Sequence, residues 1–526
     1  MRYILAYDLG TGGIKASLYS GDGISRQTYF AAYPTFYPAP GWHEQRPNDW
    51  WDGVCTATRA LLRDSGVDAR EVCAVAASGH SLVAIPLDTA YRPLQEYVPI
   101  WSDTRATAQA GAFFKTVPYE AWYRATGNGD PPETYSIFKL MWLRENVPEV
   151  WDRVCAVAGS KDYINLCLTG VWATDYSYAS GIGAFDLAQW DYRSDFLEAA
   201  NLSRSLFAQP VESHTMIGGV TPEAARQCGL IPGTPVACGG VDNTMMALGA
   251  QGMGDGRAYV SLGSSAWLAA TARRPVLDPV SRPFVFDFAQ KGYYTSGVSI
   301  FAAGSAYRWA RDVLCRDLPD GTSALAVMDE EASAVPPGAG GVLFNPTLAG
   351  ASPQEPGTAL QGGFFGLTLD TARPVLLRAV LEGVALSMRQ SCLEVLRKYI
   401  DLDGPLLITG GGTKSALWMQ IFADVFDMET IQSDIGQEAA SLGAAASAAR
   451  GVGLIADYET CGWFRIQGRR YLPRPETRAA YAVLRERFSV WTRGLAELHA
   501  RMALSSNGAA SMEGIGQNFE KGEETR

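Results

Sequence analysis

Histidine is scarce: four among 526 residues. No two stand at a metal-ligand spacing, which removes a transition-metal centre. The nine cysteines (Cys55, Cys73, Cys155, Cys167, Cys228, Cys238, Cys315, Cys392, Cys461) include no C-x-x-C. Their odd number and apolar neighbours predict buried thiols in a reducing compartment, not a disulfide framework. Positive charge is also short, with 44 Lys and Arg against 55 Asp and Glu, a net charge of −11 and a pI near 5.1. That balance argues against a nucleic-acid partner and against an anionic membrane surface. No apolar run reaches the about 18 residues of a membrane span, and Asp8 breaks the N-terminal apolar stretch too early for a signal peptide. The expected location is the cytoplasm. A sugar-responsive regulator is disfavoured because the chain has no basic helix-turn-helix segment.

What is present describes an ordinary globular protein, 47% hydrophobic and 19% charged. The length predicts two domains of about 250 residues each. Twice, half a chain apart, a strand-like run breaks into a small glycine turn and resumes. The first copy runs from Ile4 to Tyr19 around Asp8-Leu9-Gly10-Thr11-Gly12-Gly13. The second runs from Ala258 to Leu268 around Leu262-Gly263-Ser264-Ser265. Glycines and small hydroxyl residues leave backbone N–H groups free to surround an anion. Two such hairpins facing across a cleft would grip a polyphosphate from both sides. Asp8 has Ser261 as its counterpart, so a metal ion is expected nearer the first copy. The pattern predicts a nucleotide-dependent phosphotransferase built from a duplicated half.

Along the chain, residues 2–34 predict a β-meander and 48–65 a helix opening at Asn48 and stopping near Gly66. Val72 to Ala77 reads as a buried strand ending at Ser78-Gly79-His80-Ser81. A second buried strand enters Gly239-Gly240-Val241-Asp242-Asn243, with a helix beginning at Thr244. The second half restarts as strands over 257–300, followed by a helix over 373–398. A strand 406–408 then enters Gly410-Gly411-Gly412, and helices cover 416–427 and 438–450. From Met502 the composition predicts a disordered tail. Strands and helices in two matching halves predict an α/β fold with a cleft between domains, where glycine-ended strands collect ligands. The expected domains are 1–246 and 247–500, with 501–526 as the tail.

A kinase acting on an alcohol needs one carboxylate to orient the hydroxyl and accept its proton. Asp242, just past a buried strand, is the candidate; a plain helix cap is the competing explanation. Three consecutive glycines, 410–412, suit a flat approach to adenine or ribose or a plain tight strand–helix turn, and the P-loop spacing is absent. Trp101-Ser102-Asp103-Thr104-Arg105 mixes the carboxylate and aromatic groups that bind sugars, with a surface Asp103/Arg105 pair as the competing explanation. His80, after a buried strand, is a candidate donor to a sugar oxygen, with a purely structural histidine as the competing explanation. Lys161-Asp162-Tyr163 and Asp175-Tyr176-Ser177 are weaker candidates.

Taken in order, these segments resemble the FGGY carbohydrate kinases, most closely the xylulokinase-like branch. The resemblance runs from about residue 3 to 450. It rests on the two hairpins, Pro40-Gly41-Trp42-His43-Glu44-Gln45-Arg46-Pro47, Trp101 to Arg105, Lys161-Asp162-Tyr163, Gly240-Val241-Asp242-Asn243, Gly410 to Ser415, and Glu438 to Gly443. It implies two actin-like, ribonuclease-H-like domains closing over ATP, Mg²⁺ and a sugar. It further implies Asp8 holding Mg²⁺ through water and Thr11, beside Gly12, contacting phosphate. Asp242 would be the general base with Asn243 beside it, and Gly263, Ser264 and Ser265 the second phosphate hairpin. Gly411 and Gly412 would form the nucleotide loop, and His80 and Asp103 the sugar contacts.

Two departures bear on the substrate. Xylulokinases usually have Gly-Gln-Met-His-Gly where this chain has Ala77-Ser78-Gly79-His80-Ser81, and many members have Gly-Glu-Arg-Thr-Pro where it has Gly350-Ala351-Ser352-Pro353-Gln354. The expectation is an ATP-dependent kinase of a small sugar, first a ketopentose such as D-xylulose. A polyol kinase of glycerol or erythritol type and a sugar-acid kinase stay open as alternatives, as does a homodimeric assembly. From another class, a nucleotide-gated binding protein like actin and the chaperones would share the hairpins but not Asp242, Asp103 and His80.

Overall fold

Alternation along β1 (Tyr3–Gly10) decides how the first half is built. Leu5, Tyr7 and Leu9 face the side covered by α1 (Pro47–Ser65), through Trp50, Val54, Ala57 and Leu61, while Ile4 and Ala6 face the other side. β2 (Gly13–Ser20) and β3 (Ser25–Ala32) complete the expected meander. Helix α1 begins one residue earlier than expected because Pro47 takes the first helical position, where its missing N–H costs nothing. It stops at Gly66, whose φ of 68° is left-handed. β4 (Val72–Gly79) joins β1 in parallel. After α2 (Ser160–Thr169) and α3 (Tyr176–Ser180) come β5 (Met216–Gly219), β6 (Pro235–Ala237) and β7 (Gly240–Val241). The sheet order is β5-β6-β4-β1-β2-β3, with β7 beside β4. α4 (Asp242–Gln251) leads out of it.

The computed structural model describes residues 2–318, 322–402, 404–433, 435, 438–464 and 468–516. Its second half repeats the plan. β8 (Arg257–Leu262) and β9 (Ala266–Ala272) form the second hairpin, followed by β10 (Phe284–Asp287), β11 (Tyr294–Ile300) and α5 (Gly304–Leu314). α6 (Arg373–Met388) precedes β12 (Leu406–Thr409), α7 (Ala416–Phe426), β13 (Thr430–Ser433), α8 (Ala439–Gly451), β14 (Gly468–Tyr471) and α9 (Arg478–Gly516). The order is β10-β11-β9-β8-β12-β13-β14. The helix expected over 373–398 is instead three pieces, because a π turn at Arg389–Leu393 separates α6 from Glu394–Arg397. The tail expected from 501 continues α9 as far as Gly516, since adding residues to a formed helix avoids the nucleation cost. Residues 517–526 lie outside the described residues.

The halves interlock. α4 and α8 pack between the two sheets, and α8 lies on the first sheet although it belongs to the second half. Their crossing is close enough that a Cβ on Gly249 would fall 1.8 Å from the Ala439 carbonyl oxygen, and one on Gly443 2.0 Å from that of Met245. The boundary expected at 246/247 therefore falls inside α4. A second seam forms where the Val285 N–H donates to the Gly127 carbonyl (2.9 Å) and the Tyr123 hydroxyl to that of Pro283 (3.1 Å). Among the described residues no helix is long and apolar enough to cross a membrane.

Candidate active site

Strand register assembles the site. Asp8 on β1 lies opposite Ser78 on β4, and Ser78 opposite Gly240 on β7, so three parallel strands end at one level. His80 follows one of those ends and Asp242 another. Gly239 makes the last turn possible: its φ is +67°, and a Cβ there would sit 2.0 Å from the Ala77 carbonyl oxygen.

Asp242 is the first residue of α4, and Val241 occupies the cap position. Its carboxylate accepts from the Asn243 N–H at 2.8 Å, inside the first turn, and not from the later N–H that a cap residue takes. Burial pushes its carboxyl up to about 7, Asp8 adds to the rise, and the Asn243 and Ser81 backbones oppose it. Such a value suits a proton acceptor working near neutrality. The surroundings of Asp8 also push its carboxyl up, with Lys15 and Ser78 pulling the other way. His80 is 1% exposed, lies edge-on to Trp50, and its ring faces the Gly10 backbone at the end of the first strand. Burial lowers its pKa to about 4, so at neutral pH the ring offers one donor and one acceptor.

Asp103 is placed differently from expectation. It is fully buried, and its two oxygens accept four donors: the Arg105 N–H (3.1 Å), Arg105 Nε (2.9 Å), Arg105 Nη2 (2.8 Å) and the His43 N–H (2.7 Å). A carboxylate has about four lone-pair sites, so none is left for a sugar hydroxyl. Its effect is to fix Arg105, which also holds Glu44 (2.7 Å) and lies over the Trp42 ring at 3.9 Å. Trp101 next to this cluster is half-exposed and donates from Nε1 to Thr11 Oγ1 (3.1 Å), at the tip of the first hairpin. Gly12 beside Thr11 is exposed, with open space around its Cα.

In the second half, Gly263 and Ser264 meet Gly411 and Gly412 on one cavity of about 410 Å³. Ser265 follows at the exposed hairpin tip. Gly412 has to be glycine, because a Cβ would come 2.5 Å from Leu262 Cγ. The same cavity takes in Lys414, from the 410–415 segment, and Arg308 and Asp329, which the sequence did not single out. Arg308 Nη2 donates to Ser264 Oγ at 2.8 Å, which puts a guanidinium on the second hairpin. Within α5 this arginine reads as solvent-facing, and nothing local in the sequence marks it. Arg308→Ala is expected to raise the Michaelis constant for ATP several-fold with little change in that for sugar. An unchanged ATP constant in a coupled assay would remove Arg308 from the nucleotide site.

Residues 3–249 match the N-terminal domain of the FGGY family of carbohydrate kinases, and residues 258–452 match its C-terminal domain. The chain belongs to this family. It is an ATP-dependent carbohydrate kinase. Over 488 residues this kinase is 27% identical to the xylulose kinase of Bacillus subtilis (strain 168), covering 92% of its own length and 95% of the relative's. It is 26% identical over 509 residues to the gluconokinase of the same organism, covering 95% and 98%. The crystal structure of xylulose kinase from Rhodospirillum rubrum superposes with a TM-score of 0.86 at 28% identity, covering 95% of this kinase and 100% of that chain. The expected two-domain α/β architecture is therefore the observed one.

Proposed function

We propose that this kinase phosphorylates a neutral ketopentose, with D-xylulose first among candidates. The observation that carries the choice is the state of three cations of the first half, Arg105, Lys139 and Lys161. Arg105 is committed to Asp103 and Glu44, Lys139 to the carbonyls of Leu82 (3.0 Å) and Ile100 (2.6 Å), and Lys161 to Asp162 and Asp175. A sugar acid would find none of these three available to its carboxylate. A neutral ketose needs only hydroxyl partners, and the neutral ring of His80, with one donor and one acceptor, suits that need beside Asp242 and Asn243.

In this reading residues 1–246 supply the sugar contacts, the metal ligand and the base, and residues 247–500 bind the nucleotide. His80 and Asn243 orient the sugar, and Asp242 aligns the attacking hydroxyl and takes its proton as the phosphoryl group leaves ATP. Thr11 and Gly12 on one hairpin, and Gly263, Ser264 and Ser265 on the other, hold the phosphates through backbone N–H groups and hydroxyls. Gly411 and Gly412 lie against the adenosine. Mg²⁺ is bound through one or two carboxylates together with substrate phosphates and water. Asp8, a hard oxygen ligand at the foot of the first hairpin, fits that demand; the ion would neutralise phosphate charge. The free thiols, all nine unpaired, support work in a reducing cytoplasm.

An ADP-release screen against ketopentoses, polyols and sugar acids tests the assignment. The highest kcat/KM is expected on a ketopentose, and a preference for gluconate or glycerol would overturn it. His80→Ala is expected to raise the sugar KM roughly ten- to hundredfold, the scale of a lost hydrogen bond to a buried polar group. The ATP constant should stay put, and an unaltered sugar constant would take His80 out of the site.

A further inference from the structure

Beneath the Asp242 turn lies a buried charge cluster that the chemistry above leaves unused. Lys161, on α2, is fully buried and its ammonium pairs with Asp162 and, at 3.0 Å, with Asp175 Oδ1. Asp162 is held in turn by the Gly159 N–H (3.1 Å) and the Thr174 hydroxyl (2.9 Å). The other oxygen of Asp175 accepts from the Ser177 N–H (3.0 Å), the Ser177 hydroxyl and the Ser213 hydroxyl (3.0 Å).

Both residues flanking Asp175 reach the catalytic turn. Ser177 Oγ accepts the Val241 N–H at 2.9 Å, immediately before Asp242. The Ser213 carbonyl accepts the Gly239 N–H at 2.9 Å, two residues further back. Asn165, also on α2, donates to the Cys238 carbonyl at 2.7 Å. At Gly240 the chain passes so near that a Cβ would lie 3.0 Å from Ser177 Oγ and 3.3 Å from Asp175 Oδ2. Asp287 approaches Asp175 from the second half, and burial holds its carboxyl well above the usual carboxylate range.

We infer that Lys161, Asp175 and Ser177 are positioning residues that aim Asp242 at the sugar hydroxyl by holding the backbone from Gly239 to Val241. Stability alone is a poor account of such a cluster, because well-packed apolar residues of the same volume stabilise a core as well as a buried ion pair or better. What apolar residues cannot supply is an acceptor at a fixed place for the Val241 N–H. A carboxylate locked by an ammonium fixes the Ser177 hydroxyl, and that hydroxyl fixes the turn.

This inference rests on Asp242 being the base, so Asp242→Asn is assayed beside it in the full-length kinase with its best sugar. Ser177→Ala deletes one hydroxyl and leaves the ion pair intact. It is expected to lower kcat roughly ten- to hundredfold, the scale of a base displaced by up to about 1 Å. Its ATP affinity should stay near that of the parent, and its melting temperature should fall by no more than one unsatisfied buried N–H gives. Asp175→Asn, which weakens the hold on both Lys161 and Ser177, should act in the same direction. Parental kcat in both variants, with Asp242→Asn inactive, overturns the positioning role alone. So does a fall in kcat matched by loss of ATP affinity and of melting temperature, which is what loosened structure would give. An active Asp242→Asn overturns the base assignment, and the positioning role with it.

Discussion

Asp242→Asn is expected to lower kcat by roughly 10²–10⁴-fold, the range of a lost general base, while ATP binds as before. Phosphoryl transfer passes through a loose transition state in which positioning and charge outweigh basicity. The attacking hydroxyl must still lose its proton late in the reaction, and an amide keeps the shape of the carboxylate without accepting that proton. The cavity formed by Gly263, Ser264, Gly411 and Gly412 does not include Asp242, so ATP affinity should not move. Asp8→Asn should behave differently, weakening magnesium dependence and nucleotide use together. Steady-state kinetics with direct nucleotide binding separates the two. A variant at position 242 with more than about a tenth of parental kcat falls outside the expected range and would return Asp242 to a structural role.

Gly239→Ala should be nearly as damaging without touching a reacting group. The new methyl would meet the Ala77 carbonyl oxygen at 2.0 Å, its carbon at 3.0 Å and the Ala77 nitrogen at 3.2 Å. All three belong to the backbone of a central strand, which has little room to yield. The turn must move instead, and a displacement of about 1 Å is enough for a loss of the order of 10² in kcat. The left-handed φ adds about 1–2 kcal/mol of strain for any side chain, so a lower melting temperature is expected as well. Gly233→Ala separates the two effects, because Gly233 has φ +86° but nothing within 4 Å of its would-be Cβ. It should lose stability and keep kcat. Equal kcat in the two variants would show that the Gly239 turn does not set the aim of Asp242.

Much of this arrangement was legible because glycine is forced where chain meets chain or chain meets ligand. The two hairpins, the Gly239-Gly240 turn and the 410–412 run all stand out in the sequence, and the fold brings Gly263, Ser264, Gly411 and Gly412 onto one cavity. For Asp103 the pairing with Arg105 was open from the sequence as the competing reading, and what the sequence does not show is its burial and its more distant partner. Arg105 is visible two residues away, but the His43 N–H that completes its four donors comes from sixty residues earlier. Arg308 was invisible for another reason: in an amphipathic helix, a cation aimed at a phosphate loop looks the same as one aimed at water. The Lys161 cluster combines both difficulties, since its members are spread over 161–177 and 213 and act on a backbone N–H that has no sequence signature. At the C-terminus, polar composition predicted disorder where a helix already under way carries on.

Helix α4 carries Asp242 at one end and the tight crossing at Gly249 near the other. Ten residues of α-helix form a stiff rod about 15 Å long. Such a rod is a lever, and its arm from the crossing at Gly249 to Asp242 is about 10 Å. A tilt of roughly 5–6° about the crossing then moves its tip by about 1 Å, which is the scale at which a carboxylate gains or loses its aim. Bringing the halves together and aligning the base would then be one motion rather than two. The polypeptide would have no separate switch for catalysis, because a nucleotide that turns the second half turns the lever with it.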